Sequence, residues 1–241
     1  MSPTRQAQDR IRETENLLSP LGLLVQGEFY PEPDDKVPET RLDITTKTVL
    51  LVTSAGPKFW PVFRDSPEYR DSFLGLASNP LDCWTEKMVN PIAEKISARA
   101  VYPFSGPPYF PFQSWGRRTR KSWASPLGIS IVAKHGLWNA FRAALLFAER
   151  LPLPPKSSAA NPCVSCHDRL CLTSCPVKAF SNSGYDVSRC ASHLRSTEGF
   201  ECLTKGCIAR RACPVGQGYQ YHPEQAEFHM RALIRPTEES S

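Results

Sequence analysis

The sequence predicts an α+β (or α/β) protein in two parts, a mixed-sheet domain over residues 1–155 and a cysteine-built domain over residues 156–241. Three observations carry this reading. Strand-like and helix-like segments alternate through the first part, which suggests layered sheet and helix rather than a bundle. Proline makes up 23 of 241 residues, about twice ordinary usage, so short elements and many turns are expected and a long-helix bundle is excluded. Eight of the nine cysteines fall between Cys163 and Cys213.

The elements follow in chain order. Arg5 to Leu18, with apolar Ile11, Leu17 and Leu18, reads as a helix. GLLVQGEFY (Gly22–Tyr30) reads as a strand closed by the turn signal PEPDD. TVLLVTSAG (Thr48–Gly56) is a continuous apolar run with β-branched residues, the mark of a strand buried on both faces. A helix is expected from Asp82 to Ala98 despite Pro91, with Trp84, Met88, Ile92 and Ile96 on one face and Cys83 as a buried core cysteine. Strand-like ARAVYPF follows.

The stretch Phe104–Trp123 is rich in proline, aromatics and arginine and reads as an irregular loop. It is either a solvated surface loop or the cover of a cofactor. In the second case Tyr109, Phe112, Trp115 and Trp123 enclose the ligand, and Arg117, Arg118 and Arg120 meet its anionic group. ISIVAKHG then gives a strand and a turn at Gly136, followed by apolar NAFRAALLFAE. Leu151–Pro162 is a linker by composition. Beyond the cysteines, HPEQAEFHMRALIR reads as a terminal helix with proline near its start, and PTEESS as a frayed tail.

The cysteines form two groups. CVSCHDRLCLTSCP supplies Cys163, Cys166, Cys171 and Cys175, with Pro176 next; Cys190, Cys202, Cys207 and Cys213 follow, with Pro214 next. A cubane iron–sulfur cluster takes three thiolates from one loop and a fourth from elsewhere, and in two-cluster ferredoxins the cysteine before proline serves the other cluster. That logic assigns Cys163, Cys166, Cys171 and Cys213 to cluster I. Cys175, Cys190, Cys202 and Cys207 go to cluster II, with no cysteine of the eight left over. The spacing departs from the bacterial run, with four residues between Cys166 and Cys171. Structural zinc, which also takes four cysteines, is the competing metal, and unmetallated thiols are the remaining alternative. His167 and His193 are surplus to two complete sets. Arg169, Lys178, Arg189, Arg195, Lys205, Arg210 and Arg211 lie among the cysteines and would raise the potential of anionic clusters.

The eight-cysteine arrangement, preceded by LLFAERLPLPP, resembles the iron–sulfur region of epoxyqueuosine reductases and, more distantly, of reductive dehalogenases. The resemblance spans Ser125 to Gly216, with GLWNAFRAALLFAERLPLPP in the place of that family's strand leading into the cysteines. It implies a domain similar to the corrinoid-reductase domain on a ferredoxin-like domain with two [4Fe-4S] clusters. It also implies a bound corrinoid such as cobalamin, a flavin being the other candidate. Those reductases carry a catalytic aspartate just before the segment matching SPLGISIVAKHG; here the stretch reads KSWASPLG, with Ser125 and no acid. Few residues follow the cysteines, against the helical-repeat segment with which many of those enzymes hold tRNA. The resemblance thus carries a fold and an electron-transfer module, not epoxide reduction.

Other classes find little footing. There is no Walker loop, no G-x-G-x-x-G and no H-E-x-x-H. No apolar run approaches the roughly 20 residues of a membrane span. The net charge of +5 is mild and dispersed, a poor footprint for tRNA or other nucleic acid. The charged opening MSPTRQAQDRIRETENLL has no signal-peptide core, so a cytoplasmic protein is expected. The function expected is electron transfer with redox partner proteins. The alternatives are a cofactor-dependent reductase that uses the clusters as a relay, and a structural zinc protein that binds a partner.

Overall fold

The computed structural model describes residues 3–73, 79–155, 157–181 and 184–235, so the tail PTEESS lies outside the described residues. The chain divides into two compact units, residues 1–122 with 139–159, and residues 123–138 with 160–241. In chain order the strands are β1 (Leu23–Phe29), β2 (Thr48–Ala55), β3 (Arg99–Val101), β4 (Trp123–Ala124), β5 (Ser130–Ile131), β6 (Asn139–Phe147), β7 (Phe180–Ser181) and β8 (Gly184–Tyr185). The helices are α1 (Pro3–Leu18), α2 (Trp60–Arg64), α3 (Pro67–Phe73), α4 (Pro80–Lys95), α5 (Phe112–Arg118), α6 (Leu170–Thr173), α7 (Val187–Arg195), α8 (Phe200–Lys205), α9 (Ile208–Arg211) and α10 (Pro223–Ala232). No helix among the described residues is long and apolar enough to cross a membrane.

The first unit is an antiparallel sheet in the order β1-β2-β6-β3 with helices packed on it. β2 is buried at every position, as its unbroken apolar run requires. One face, with Phe29, Val49, Leu51, Val101, Phe141, Ala144 and Leu146, packs on Phe112 and Trp115 of α5. α1 packs on β1 and α4, and α4 on β3 and β6. A bulge ties α4 to the sheet: Val52 pairs with Ala143 and Thr53 with Phe141, so Arg142 is the extra residue at the register shift. Its guanidinium donates to Thr85 Oγ1 at 2.6 Å, Leu81 O at 3.1 Å and Asp82 Oδ1 at 2.9 Å.

Three expectations are corrected here. Of the expected row, Trp84 and Ile96 are buried but Met88 and Ile92 only half-buried, and the buried stripe of α4 runs through Leu81, Trp84, Thr85, Val89 and Ala93. Cys83 stands two residues, about 200°, from Leu81 on the helix and is therefore exposed, not a core cysteine. The segment expected as a loop from Phe104 also holds a helix, α5, because Phe112 and Trp115 are three apart and both find the sheet.

The second unit is built from short pieces. β4 pairs with β5 and β7 with β8. The expected strand in ISIVAKHG shrinks to β5 and a bridge between Val132 and Gly136. α6 packs beside α9, α7 and α10 pack on α8, and α10 buries Gln225, Ala226 and Met230.

Candidate metal centre

The chain forms the candidate centre from two similar passages. In the first, α6 carries Cys171 and runs toward Cys175–Pro176; in the second, α9 follows Cys207 and runs toward Cys213–Pro214. Because α6 and α9 lie side by side, the chain leaving each short helix arrives at the partner passage. The result is a crossed arrangement. Cys163, Cys166 and Cys171 line one cavity together with Cys213, closed by Pro126, Ile131, Leu170 and Val215. Cys175 lies near Cys202, and also near Tyr185 beside Cys190 and Cys207.

The chemistry of these groups suits a thiolate-bound metal cluster. Cys171, Cys175, Cys202 and Cys213 are buried and the other four half-buried, so solvent is largely shut out. Burial pushes the thiols of Cys163, Cys171, Cys202 and Cys213 up, and that of Cys207 up to about 11. For Cys163 the neighbouring Cys213, Cys171 and Cys166 add to this. Backbone N–H groups oppose the shift: Leu172 donates to Cys171, Ile208 to Cys202, Ala209 and Arg210 to Cys207, and Val215 to Cys213. The Ala179 N–H donates to Cys175 Sγ at 3.3 Å. Arg169 faces Cys163 and Arg211 faces Cys202, one cation for each set.

Such a set needs a cation to hold four sulfurs as thiolates, since burial and mutual repulsion both favour the thiols. Among the described residues no three His, Cys, Asp or Glu side chains converge on a single-ion position. The cysteines of the first set instead surround a small cavity of about 20 Å³. Metal–sulfur bonds are far shorter than the contact between sulfur and a water-sized sphere, so such a space understates what thiolates can enclose. His167 is exposed and is not part of that cavity's lining.

The sequence did not single out Tyr185. Its ring stacks on Phe180 at 4.8 Å across the β7–β8 pair, and its hydroxyl hydrogen-bonds Cys190. A lone tyrosine between Gly184 and Asp186 carries no signal of this, because the contact depends on a two-residue strand pairing.

The basic segment is divided by the fold. Trp115 is fully buried, packed on Phe112 at 4.9 Å, and its indole N–H donates to Asp35 O at 2.7 Å. It therefore has no face left for a cofactor. Arg117 is exposed and donates to Ser114 Oγ at 2.8 Å. Arg118 and Arg120 do line a cavity of about 450 Å³ with Glu28, Phe29, Tyr30, Glu32, Leu153 and Pro154. Arg118 is held by Glu32 at 2.7 Å and Asp35 at 3.1 Å, and Glu28 by Lys121 at 2.7 Å. Among the described residues the Arg120 side chain has no ion-pair partner.

No protein-family model matches the sequence, and no curated protein matches it. Solved structures do. The B12-trafficking protein CblC of C. elegans, a human MMACHC homologue, aligns with TM-score 0.56 and 16% identity over 98% of each chain. Epoxyqueuosine reductase with an epoxyqueuosine-modified tRNA-Tyr stem loop aligns with TM-score 0.51 and 16% identity, over 92% of this chain and 70% of that one. A selenomethionine-labelled epoxyqueuosine reductase aligns with TM-score 0.50 and 16% identity, over 92% and 71%. At this identity the likeness shows a shared mixed helix-and-sheet fold.

Proposed function

We propose that the chain is an iron–sulfur redox protein with two [4Fe-4S] clusters, one on Cys163, Cys166, Cys171 and Cys213, the other on Cys175, Cys190, Cys202 and Cys207. The observation that carries this reading is the cavity that Cys213 shares with Cys163, Cys166 and Cys171. Independent four-cysteine knuckles would instead keep Cys175 with its own loop. The clusters would supply one-electron transfer, at potentials set by hydrogen bonds, charge and exposure. The chain's own part is to hold eight thiolates, direct backbone N–H groups at them, and exclude water with Ile131, Leu137 and Ala209. A cytoplasmic protein that exchanges electrons with redox partner proteins fits this chemistry.

A second reading makes the chain a reductase whose first unit holds a corrinoid or a flavin fed by the clusters. The cavity lined by Arg118 and Arg120 favours it, as does a fold shared with a B12-trafficking protein. Without an acid beside Ser125, epoxide reduction is not the reaction proposed. Anaerobic purification tests the leading reading: a brown protein whose visible absorption bleaches on reduction, containing iron and sulfide, is expected. A colourless protein loaded with zinc overturns it.

A further inference from the structure

We infer that the loop 132–138, far from the cysteines in sequence, is the jig that delivers Cys213 to the first cysteine set, through a two-glycine backbone crossing. The inference rests on the cluster reading above.

The crossing lies just past the last cysteine. A Cβ on Gly136 would stand 2.0 Å from Val215 O, and one on Gly216 would stand 2.4 Å from His135 C. Both glycines also have positive φ, 57° and 76°. Two backbones therefore touch face to face, His135–Gly136 against Val215–Gly216, with no side chain able to come between them. Val215 in turn lies next to Pro214, and both line the cavity of Cys163, Cys166, Cys171 and Cys213. The Val215 N–H, on this same contact, donates to Cys213.

Other contacts fix the same crossing. The bridge between Val132 and Gly136 closes the loop on itself. Arg210 donates to Leu137 O at 2.6 Å, and its guanidinium lies against the rings of both Trp138 and Tyr221, 4.6 Å from each. His135 meets Tyr219 edge-on at 4.5 Å. The loop thus grips the chain on both sides of Cys213. Its role is positioning: none of these residues is a ligand, yet a shift of the crossing carries Cys213 with it.

The test compares two alanines that share one backbone penalty. Gly128 also has positive φ, 75°, but a Cβ there meets nothing within 4 Å. Gly128→Ala measures backbone strain alone; Gly136→Ala adds the collision with Val215. Both are loaded with iron and sulfide anaerobically, then read by iron content and by electron paramagnetic resonance after reduction. Gly136→Ala should keep roughly half the iron and lose the signal of the cluster that Cys166→Ala also removes. Gly128→Ala should keep both clusters. Arg210→Ala, which creates no collision, should weaken the same cluster, and Arg210→Lys should not restore it, because lysine lacks the planar fork. The inference is overturned if Gly136→Ala keeps both clusters, or if Gly136→Ala and Arg210→Ala each lose both clusters equally. If the unaltered protein takes up no iron, the cluster reading itself fails, a separate outcome.

Discussion

Cys207 shows what the site does to a single side chain. Burial pushes its thiol up to about 11, against an ordinary value of 9.0. In metal-free protein the folded state then keeps a proton that the unfolded state loses. The unfolded chain binds fewer protons in that window, so stability is full below about pH 9 and falls as pH rises toward 11. The expected loss is on the order of 2 kcal/mol. Denaturant titrations of the metal-free protein at neutral and alkaline pH check it, and Cys207→Ala should flatten the dependence. The cavity in the first unit gives a second expectation at this scale. Among the described residues Arg120 has no ion-pair partner, while Arg118 is committed to Glu32 and Asp35. If a cobalamin or flavin binds there, Arg120→Ala should weaken it about tenfold, the worth of one charge-assisted hydrogen bond, with little change in melting temperature. Calorimetric titration reads the first and thermal unfolding the second.

At the scale of elements, the link between α4 and β6 rests on Arg142. Its guanidinium is nearly buried and bonded to Asp82 and Thr85, so Arg142→Ala strands Asp82 beside a hole and should cost about 3 kcal/mol. Thermal unfolding of the purified variant checks this. Strands such as β2 were legible from composition, since six apolar or β-branched residues in a row, Thr48–Thr53, suit a strand covered on both faces. α4 was legible as a helix, but its facing was not. Met88 and Ile92 look as apolar as Val89 and Ala93, and only tertiary packing chooses between adjacent stripes. α5 was hidden for a different reason. Prolines and arginines on both sides of Phe112 and Trp115 mask a helix of seven residues, stabilised by the core it enters more than by its own propensity.

For the whole molecule, the cysteine spacing points to the crossed partition that is proposed, because a cysteine before proline ends its passage and turns away. What no spacing revealed is that residues 123–138 pack with the cysteine unit, while 139–159 return to the sheet. ISIVAKHG reads as an ordinary strand and turn, and the partners of its His135–Gly136 end are backbone groups of Val215 and Gly216, which leave no mark on residue type except two glycines. The central claim, that Cys175 and Cys213 trade places, is tested most directly by paired substitutions scored by iron content after anaerobic loading. Cys175→Ala should keep roughly half the iron. Adding Cys202→Ala should remove no more, because both residues serve one cluster, whereas adding Cys166→Ala should remove the rest. The opposite result, with Cys175→Ala and Cys166→Ala together keeping half and Cys175→Ala with Cys202→Ala losing all, would put Cys175 with its own loop and contradict the account.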